Sequence, residues 1–277
     1  MTISKLMNER DALVILVETD PVSWESSKSL DICSFFDHLF LYLKQMILAD
    51  VFNPPTIIAY NRCNAMYLYP SPDKCDMVMD NQVQLTTDEE INDYMQQILE
   101  SLELFSNQSV LMKPSFGSKL DAAISLALCH LNGFTRQNIR KRIMIFYLSE
   151  DDPSAFDTTM NSIFAANRIG AVIDSLSLNQ NQSLFLNQGA VITNGQFLVL
   201  DSPEYLSQYL FSIPPISIRP FFELPPVKSL NYRAPDSKSK DLIDIGYLCP
   251  YCLSVHSKKE LKCSVCNDVL LPSGLKR

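Results

Sequence analysis

The sequence predicts an α/β fold, a mainly parallel sheet with helices on both faces, followed by a small C-terminal four-cysteine unit. Three observations carry this reading. Short continuous apolar runs end in acidic residues, as strands buried on both faces of a sheet do. Segments of helical spacing separate those runs, and such alternation builds mainly parallel sheets. Four of the eight cysteines fall in two C-x-x-C pairs close to the C-terminus.

Residues 12–18 (ALVILVE) are the first buried run, and Asp20-Pro21 breaks it. From about Ser26 to Asp50, Leu30, Phe35, Phe36, Leu39, Phe40, Leu43 and Ile47 recur at helical spacing, after a serine-rich start that offers an N-cap. TIIAY (56–60) and AMYLY (65–69), separated by Asn61–Asn64, have the spacing of a tight hairpin, which makes one edge of the sheet antiparallel. A polar stretch follows Pro70, and Thr87-Asp88-Glu89-Glu90 then opens a helix to about Ser106, its acids placed where the helix dipole favours them. Gly117-Ser118 launches a helix carrying Leu120, Ala123, Ile124, Ala127, Leu128 and Leu131, ended by Asn132-Gly133. RIMIFYLS (142–149) is a second buried strand, closed by Glu150-Asp151-Asp152 before Pro153 restarts helix to Arg168. GAVIDSLSL (170–178), a short helix over Ser183–Gln188, GQFLVL (195–200) and a helix over Pro203–Phe211 complete the alternation. Six prolines between Ile213 and Lys240 mark a linker, or an arm laid over a neighbouring surface. The expected division is an α/β domain over 1–212, the proline-rich arm over 213–240 and the four-cysteine unit over 241–277. No internal repeat occurs at solenoid or propeller periods.

A length of 277 residues with 47% hydrophobic and 19% charged side chains excludes global disorder. The net charge of −8 repels phosphate backbones and excludes a general nucleic-acid binder. The sign is uneven: residues 1–227 hold 14 basic and 26 acidic side chains, a net −12, whereas 228–277 hold 9 and 5, a net +4. The two regions are expected to meet different surroundings. No run of 18 apolar residues is present to span a bilayer, and Glu9, Arg10 and Asp11 interrupt the start before any signal-like stretch develops. A reducing compartment, cytosol or nucleus, is the expected setting, and no membrane partner is expected.

Cys249-Pro-Tyr-Cys252 and Cys263-Ser-Val-Cys266, ten residues apart, offer four thiolates for a tetrahedral zinc at about 2.3 Å per bond. A unit this small needs such a clamp because it cannot build a core. Two redox pairs are the alternative, but a redox C-x-x-C opens a helix after a strand, a context missing here. Four thiolates close the coordination sphere, so one structural rather than catalytic zinc is expected. His256, between the pairs, reads as a surface histidine. Lys258, Lys259 and Lys262 read as a solvated face, and direct DNA contact stays open.

A second candidate lies where the first strand and RIMIFYLS end, because ligands of open α/β sheets gather outside the carboxyl ends of strands at a switch in strand order. Glu18, Asp20, Asp151 and Asp152 fall there and could hold magnesium. On these residues the domain resembles the von Willebrand factor A fold, whose metal-dependent adhesion site uses Asp-x-Ser-x-Ser after the first strand. The match is degenerate. Glu18, Asp20 and Val22 occupy the three motif positions, Ser118 is placed on the second loop and Asp151 on the third, and valine cannot ligate. Acids that cap helices are the plainer reading. No GxGxxG, P-loop, GxSxG or HExxH is present, and the chain has only 7 glycines and 3 histidines. His38 and His130, each on an apolar helix, read as packed rather than catalytic; Trp24 reads as a core residue or a partner anchor.

An A-type domain, a proline-rich arm and a cysteine ribbon in this order resemble the small A-domain and zinc-ribbon subunits of TFIIH, the general transcription and nucleotide-excision-repair factor. The resemblance covers nearly the whole chain and rests on LVILVETDPVSW (13–24), SLFLNQGAVITNGQFLVLDSPEYLSQYL (183–210), LPPVKSLNYRAP (224–235) and DIGYLCPYCLSV (244–255), the last two being most specific. It implies a non-enzymatic, nuclear scaffold of the TFIIH core that supports RNA polymerase II initiation and excision repair. It implies pairing with a second subunit bearing its own A domain and zinc-binding modules, the A domain meeting that zinc module and the ribbon packing within the complex. It also implies further cysteines before Asp244 and after Val255, where this chain has Asp236–Lys240 and Ser257, so a single zinc is expected. The alternative from another class is a metal-dependent ligand binder or hydrolase using the strand-end acids.

Overall fold

The computed structural model describes residues 11–27, 30–49, 54–70, 85, 87–114, 117–134, 139–180, 182–225 and 231–270. The polar stretch read over 71–84, the arm at 226–230 and the outer ends of the expected units, 1–10 and 271–277, lie outside the described residues.

The elements follow the order β1 (Asp11–Glu18), α1 (Pro21–Ser26), α2 (Ile32–Leu48), β2 (Thr56–Tyr60), β3 (Ala65–Tyr69), α3 (Asp88–Val110), α4 (Leu120–Gly133), β4 (Arg140–Tyr147), α5 (Phe156–Arg168), β5 (Ala171–Ser177), α6 (Leu184–Ile192), β6 (Phe197–Val199) and α7 (Leu206–Ser212). The sheet runs β3-β2-β1-β4-β5-β6. Among the described residues its one antiparallel pair is the expected hairpin β2–β3 at one edge. All eight residues of β1 are buried, as the unbroken apolar run requires of a central strand covered on both sides.

Alternation along the strands divides the core in two. Leu13, Ile15, Val17, Met144 and Phe146 face α2, α3 and α7, while Val14, Leu16, Ile143 and Ile145 face α4, α5 and α6. β1 and β4 lie side by side in parallel, Leu16 opposite Ile145, so the order switches between them and both chains leave the sheet at one point.

Helix ends depart from the sequence reading in instructive ways. The helix expected from about Ser26 to Asp50 begins only at Ile32 and ends at Leu48, and a separate short helix, α1, occupies Pro21–Ser26 just after the Asp20-Pro21 break. Asp20 caps the short α1 with Pro21 at its first position, a placement where proline lacks no needed donor, and Asp31 rather than a serine caps α2. Thr87 and Glu90 form a full capping box on α3, which continues past Ser106 to Val110. The helix after Ser183 extends four residues beyond Gln188 because Val191 and Ile192 complete its last turn.

The start of the proline-rich segment, residues 213–219, is hydrogen-bonded to the sheet near its amino end. Arg142 and Asp174, both fully buried, pair at 2.7 Å; Arg142 also donates to the Ile213 carbonyl at 3.0 Å. Arg219 comes from the arm to the same carboxylate and donates through Nε to the Pro214 carbonyl at 3.0 Å. The other Asp174 oxygen accepts the Gln196 amide, and Asp11 accepts that of Ile216. Replacing Asp174 with alanine leaves two guanidinium groups facing one another in a buried site. Such a change is expected to cost about 3–5 kcal/mol of stability in urea unfolding, and a loss below about 1 kcal/mol would show the pair to be dispensable.

Candidate functional site

Past the arm, four short strands, β7 (Ala234–Pro235), β8 (Leu242–Ile243), β9 (Tyr247–Leu248) and β10 (Val255–His256), frame the cysteine unit. β9 and β10 pair antiparallel around the first C-x-x-C, and a Lys262–Val269 bridge closes the second. In each turn the first cysteine donates its amide five residues ahead, Cys249 to Ser254 and Cys263 to Asp268, both at 2.9 Å. Its carbonyl accepts the amide four residues ahead, which puts Leu253 and Asn267 at φ of 61° and 62°. This tight wrap directs both sulfurs of a pair to one side.

The sulfurs of Cys249, Cys252, Cys263 and Cys266 lie within 4.8 Å of one another, with Cys249–Cys266 at 3.7 Å and Cys252–Cys263 at 3.6 Å. Tetrahedral Zn–S bonds of about 2.3 Å require sulfurs about 3.8 Å apart, so the spacing fits. The surroundings fit as well. The Ser254 hydroxyl lies 3.1 Å from the Cys252 sulfur and 3.2 Å from that of Cys263, and the Val265 amide points at Cys263 from 3.4 Å. His256, expected at the surface, is instead 1% exposed, its Nε2 3.4 Å from the Cys263 sulfur and 3.1 Å from the Ser254 hydroxyl. Pairing of β10 with β9 turns it inward, where it supports the sulfurs from behind.

Burial opposes ionisation of Cys263, but hydrogen bonds from Ser254 and from the Cys266 and Val265 amides outweigh it and bring the thiol down to about 5. Cys266 accepts the Asp268 amide, which favours its thiolate, yet partial burial and hydrogen bonding to the other sulfurs push it up to about 12. Four sulfurs this close suit thiolates shared by one cation, whose charge offsets their mutual repulsion. Lys258, Lys259 and Lys262 are exposed, as read from the sequence.

The strand-end acids are engaged by the protein itself. Glu18 is fully buried; one of its carboxylate oxygens accepts the Leu148 and Ser149 amides at 2.8 and 3.0 Å, and the other accepts the Ser149 hydroxyl. It thereby ties the end of β1 to the chain leaving β4. Asp20 accepts the amide and hydroxyl of Ser23 at 3.2 and 3.1 Å and pairs with Arg62 at 3.3 Å. Asp151 accepts the Ser183 hydroxyl and the Leu184 amide, both at 2.6 Å, and so caps α6. Ser118 is half-buried in the loop before α4, where a Cβ on neighbouring Gly117 would fall 2.4 Å from an Asp152 carboxylate oxygen. Val22 points outward at 56% exposure. Among the described residues, the four cysteines are the one cluster of cysteine, histidine or acidic side chains close enough to share an ion.

Other single residues settle as packing groups. Trp24 is buried against Phe35, its indole donating to the Glu18 carbonyl at 2.7 Å. His130 is 2% exposed and bonded to Thr56 at 2.7 Å, and burial lowers its pKa to about 4. His38 joins α2 to α7 through Ser207 at 2.8 Å. Sequence reading missed Arg142, Asp174 and Ser254; a charge inside an otherwise apolar strand, as in AVIDSLS, was the available signal.

The chain matches the family described as transcription factor Tfb4 over residues 10–267. It is 28% identical to general transcription and DNA repair factor IIH subunit tfb4 of Schizosaccharomyces pombe over 261 residues, 92% of this chain and 87% of that one. It is 36% identical to general transcription factor IIH subunit 3 of Dictyostelium discoideum over 170 residues, 60% of this chain but only 44% of the relative's length. Among solved structures, the TFIIH p34 N-terminal domain aligns with a TM-score of 0.58 at 20% identity, over 73% of this chain and 96% of that one. A von Willebrand factor type A protein of Catenulispora acidiphila aligns at 0.53 and 9% identity, over 76% of this chain and 43% of that one. These two likenesses show the expected A-type fold.

Burial, only partly offset by its hydrogen bonds from Ser149 and Leu148, raises the Glu18 carboxyl above its ordinary 4.5. The folded state then holds the proton to higher pH than the unfolded chain, so the residue's contribution is complete below that ordinary value and is lost as pH rises through the raised one. Glu18→Gln keeps an acceptor for both amides and gains a donor for the Ser149 hydroxyl. In unfolding curves between about pH 4 and 8 it should gain on the parent as pH rises, whereas a loss of about 2 kcal/mol at neutral pH would mean that the ionised carboxylate is required, as a bound cation would demand.

Proposed function

The chain belongs to the Tfb4 family of transcription factors, and we propose that it acts as a non-enzymatic scaffold in the core of the general transcription and DNA repair factor IIH, in the nucleus. The match over residues 10–267 carries this reading, because it takes in the A-type sheet, the arm and both cysteine turns rather than the sheet alone. An A-type fold by itself is shared by proteins of unrelated function.

The chemistry supports a binding role. Strand-end acids that would serve a metal-dependent hydrolase or ligand binder are engaged with Ser23, Arg62, Ser149, Ser183 and backbone amides. We infer that Glu18, Asp20, Ser118 and Asp151 hold no cation and shape the loops instead. One structural zinc on Cys249, Cys252, Cys263 and Cys266 is the cofactor the sulfur spacing and its donors fit.

Protein contact then falls to outward apolar groups. Leu99 and Leu104 on α3 are 46% and 60% exposed, and Leu248, Tyr251 and Leu261 on the cysteine unit are 59%, 67% and 71% exposed. Apolar surface of this kind is covered in an assembly. The partner we assign is the second A-domain and zinc-binding subunit of the factor, its zinc module meeting the A domain while the cysteine unit packs within the complex. Leu261, exposed between Lys259 and Lys262, favours protein over DNA as the contact of that unit.

Purified chain should contain one zinc and no tightly held magnesium by elemental analysis, and Cys263→Ser should lower zinc content about tenfold or more under dialysis. Stoichiometric magnesium with turnover would reverse the assignment. Co-purification with the second A-domain subunit should survive the double change Glu18→Gln and Asp20→Asn and weaken about tenfold with Leu99→Glu and Leu104→Glu together. Loss of pairing on changing only the acids would point to metal-dependent adhesion instead.

A further inference from the structure

The two cysteine turns have a third counterpart that contains no cysteine. In residues 236–241 the Asp236 amide donates to the Asp241 carbonyl at 2.8 Å, and the Asp236 carbonyl accepts the Lys240 amide at 2.9 Å. The same two bonds measure 2.9 and 3.0 Å in the turns that start at Cys249 and at Cys263. Lys240, at the fifth position, has a φ of 64°, matching 61° at Leu253 and 62° at Asn267, though none of these residues is glycine. The closing pairs share one register as well: Pro235 faces Leu242, Leu248 faces Val255 and Lys262 faces Val269, in each case the residue before the turn against the one after it.

The first side chain of each turn is buried, Asp236 at 4%, Cys249 at 0% and Cys263 at 1% exposure. Its acceptor atoms also collect the same donors. The Cys263 sulfur faces the amide two residues ahead, at Val265, and one oxygen of Asp236 accepts the amides two and three residues ahead, Lys238 at 3.1 Å and Ser239 at 2.8 Å. The other Asp236 oxygen reaches across to the Ser257 amide at 2.6 Å, immediately after β10. Those amide bonds hold the carboxyl well below the usual carboxylate range despite its burial.

We propose that residues 234–243 are a third knuckle of the module, closed by the Asp236 carboxylate where the other two are closed by a shared metal. The carboxylate gathers the amides of its own turn and cross-links that turn to the end of β10, as a metal would join two sulfur turns. The module therefore begins at Ala234, and it has one closure that depends on metal and one that does not. The metal-independent closure rests on the A domain, and the first cysteine turn touches the same face, the Asn161 side-chain amide on α5 donating to the Cys252 carbonyl at 3.5 Å. The Ser237 hydroxyl lies 3.4 Å from an Asp157 oxygen on α5, and Ala234 and Val255 pack against the core under α4, α5 and α6. The cysteine turns, with their exposed Tyr251, Leu261 and Val265, are the half that a metal organises.

Amide hydrogen exchange on the full chain, with its metal content measured, tests this. Stripping the metal with a chelator should raise exchange in 249–254 and 263–268 about tenfold or more while 236–241 and Ser257 change less than about twofold. In the metal-loaded chain, Asp236→Ala should open 236–241 and Ser257 by a similar factor and leave one metal bound; Asp236→Asn, which keeps a single acceptor oxygen, should fall between. Opening of all three turns together on chelation, or protection of 236–241 unchanged in Asp236→Ala, would overturn the proposal. A parent chain that purifies without metal would refute the cysteine-site reading alone, since the Asp236 variants still decide whether the carboxylate closes its turn.

Discussion

Asp174, sealed within β5 and bonded to groups that come from the amino end of the sheet, is the constraint on which the rest of this molecule depends. It is a charge at zero exposure in the second strand from the edge, and such a charge is tolerable only when paired and hydrogen-bonded. Arg142 from the neighbouring strand satisfies part of it, and the remainder comes from outside the sheet: Arg219 on the arm and the amide of Gln196 before β6. Three distant stretches of sequence are thereby held at one point. Just before the cysteine module, Gln188 donates to the Asn231 and Arg233 carbonyls.

At the opposite end of the sheet the same economy of charge gives a different outcome. Glu18 and Asp151 stand where an open α/β sheet gathers ligands, yet each carboxylate is directed at backbone amides and hydroxyls. Burial raises both carboxyls, and the hydrogen bonds from these amides and hydroxyls offset it only in part. Val22, outward and apolar, replaces an oxygen at the third motif position. The carboxylates fix the exits of β1 and β4 through donors of the protein itself.

The cysteine module shows how little apolar mass is needed when turns are cross-linked. Its largest buried groups include two sulfurs, a histidine and a carboxylate, not a cluster of leucines, and most of its leucines and valines point outward. Metal coordination and carboxylate–amide bonding both replace a core in such small units. The outward apolar groups are then free to be used between chains.

How much of this was legible in the sequence follows from the range of each interaction. The alternation of apolar runs and helical spacings, the capping box at Thr87 and Glu90, the hairpin around Asn61–Asn64 and the two C-x-x-C pairs are local patterns, and each appears where it was read. The start of α2 at Ile32 rather than near Ser26, the separate short helix at Pro21–Ser26 and the inward turn of His256 depended on which side of a neighbouring element a side chain meets, and local spacing is silent on that. Arg142, Asp174 and Arg219 are 32 and 45 residues apart along the chain, and Asp236 and Ser257 are 21 apart. Sequence by itself determined the elements, their order and the four-sulfur set, because hydrogen-bonding period and ligand spacing act over a few residues. Tertiary structure alone decided which charges are buried together, which acids are engaged at the strand ends and which turn closes without metal, because desolvation acts on whatever the fold brings side by side.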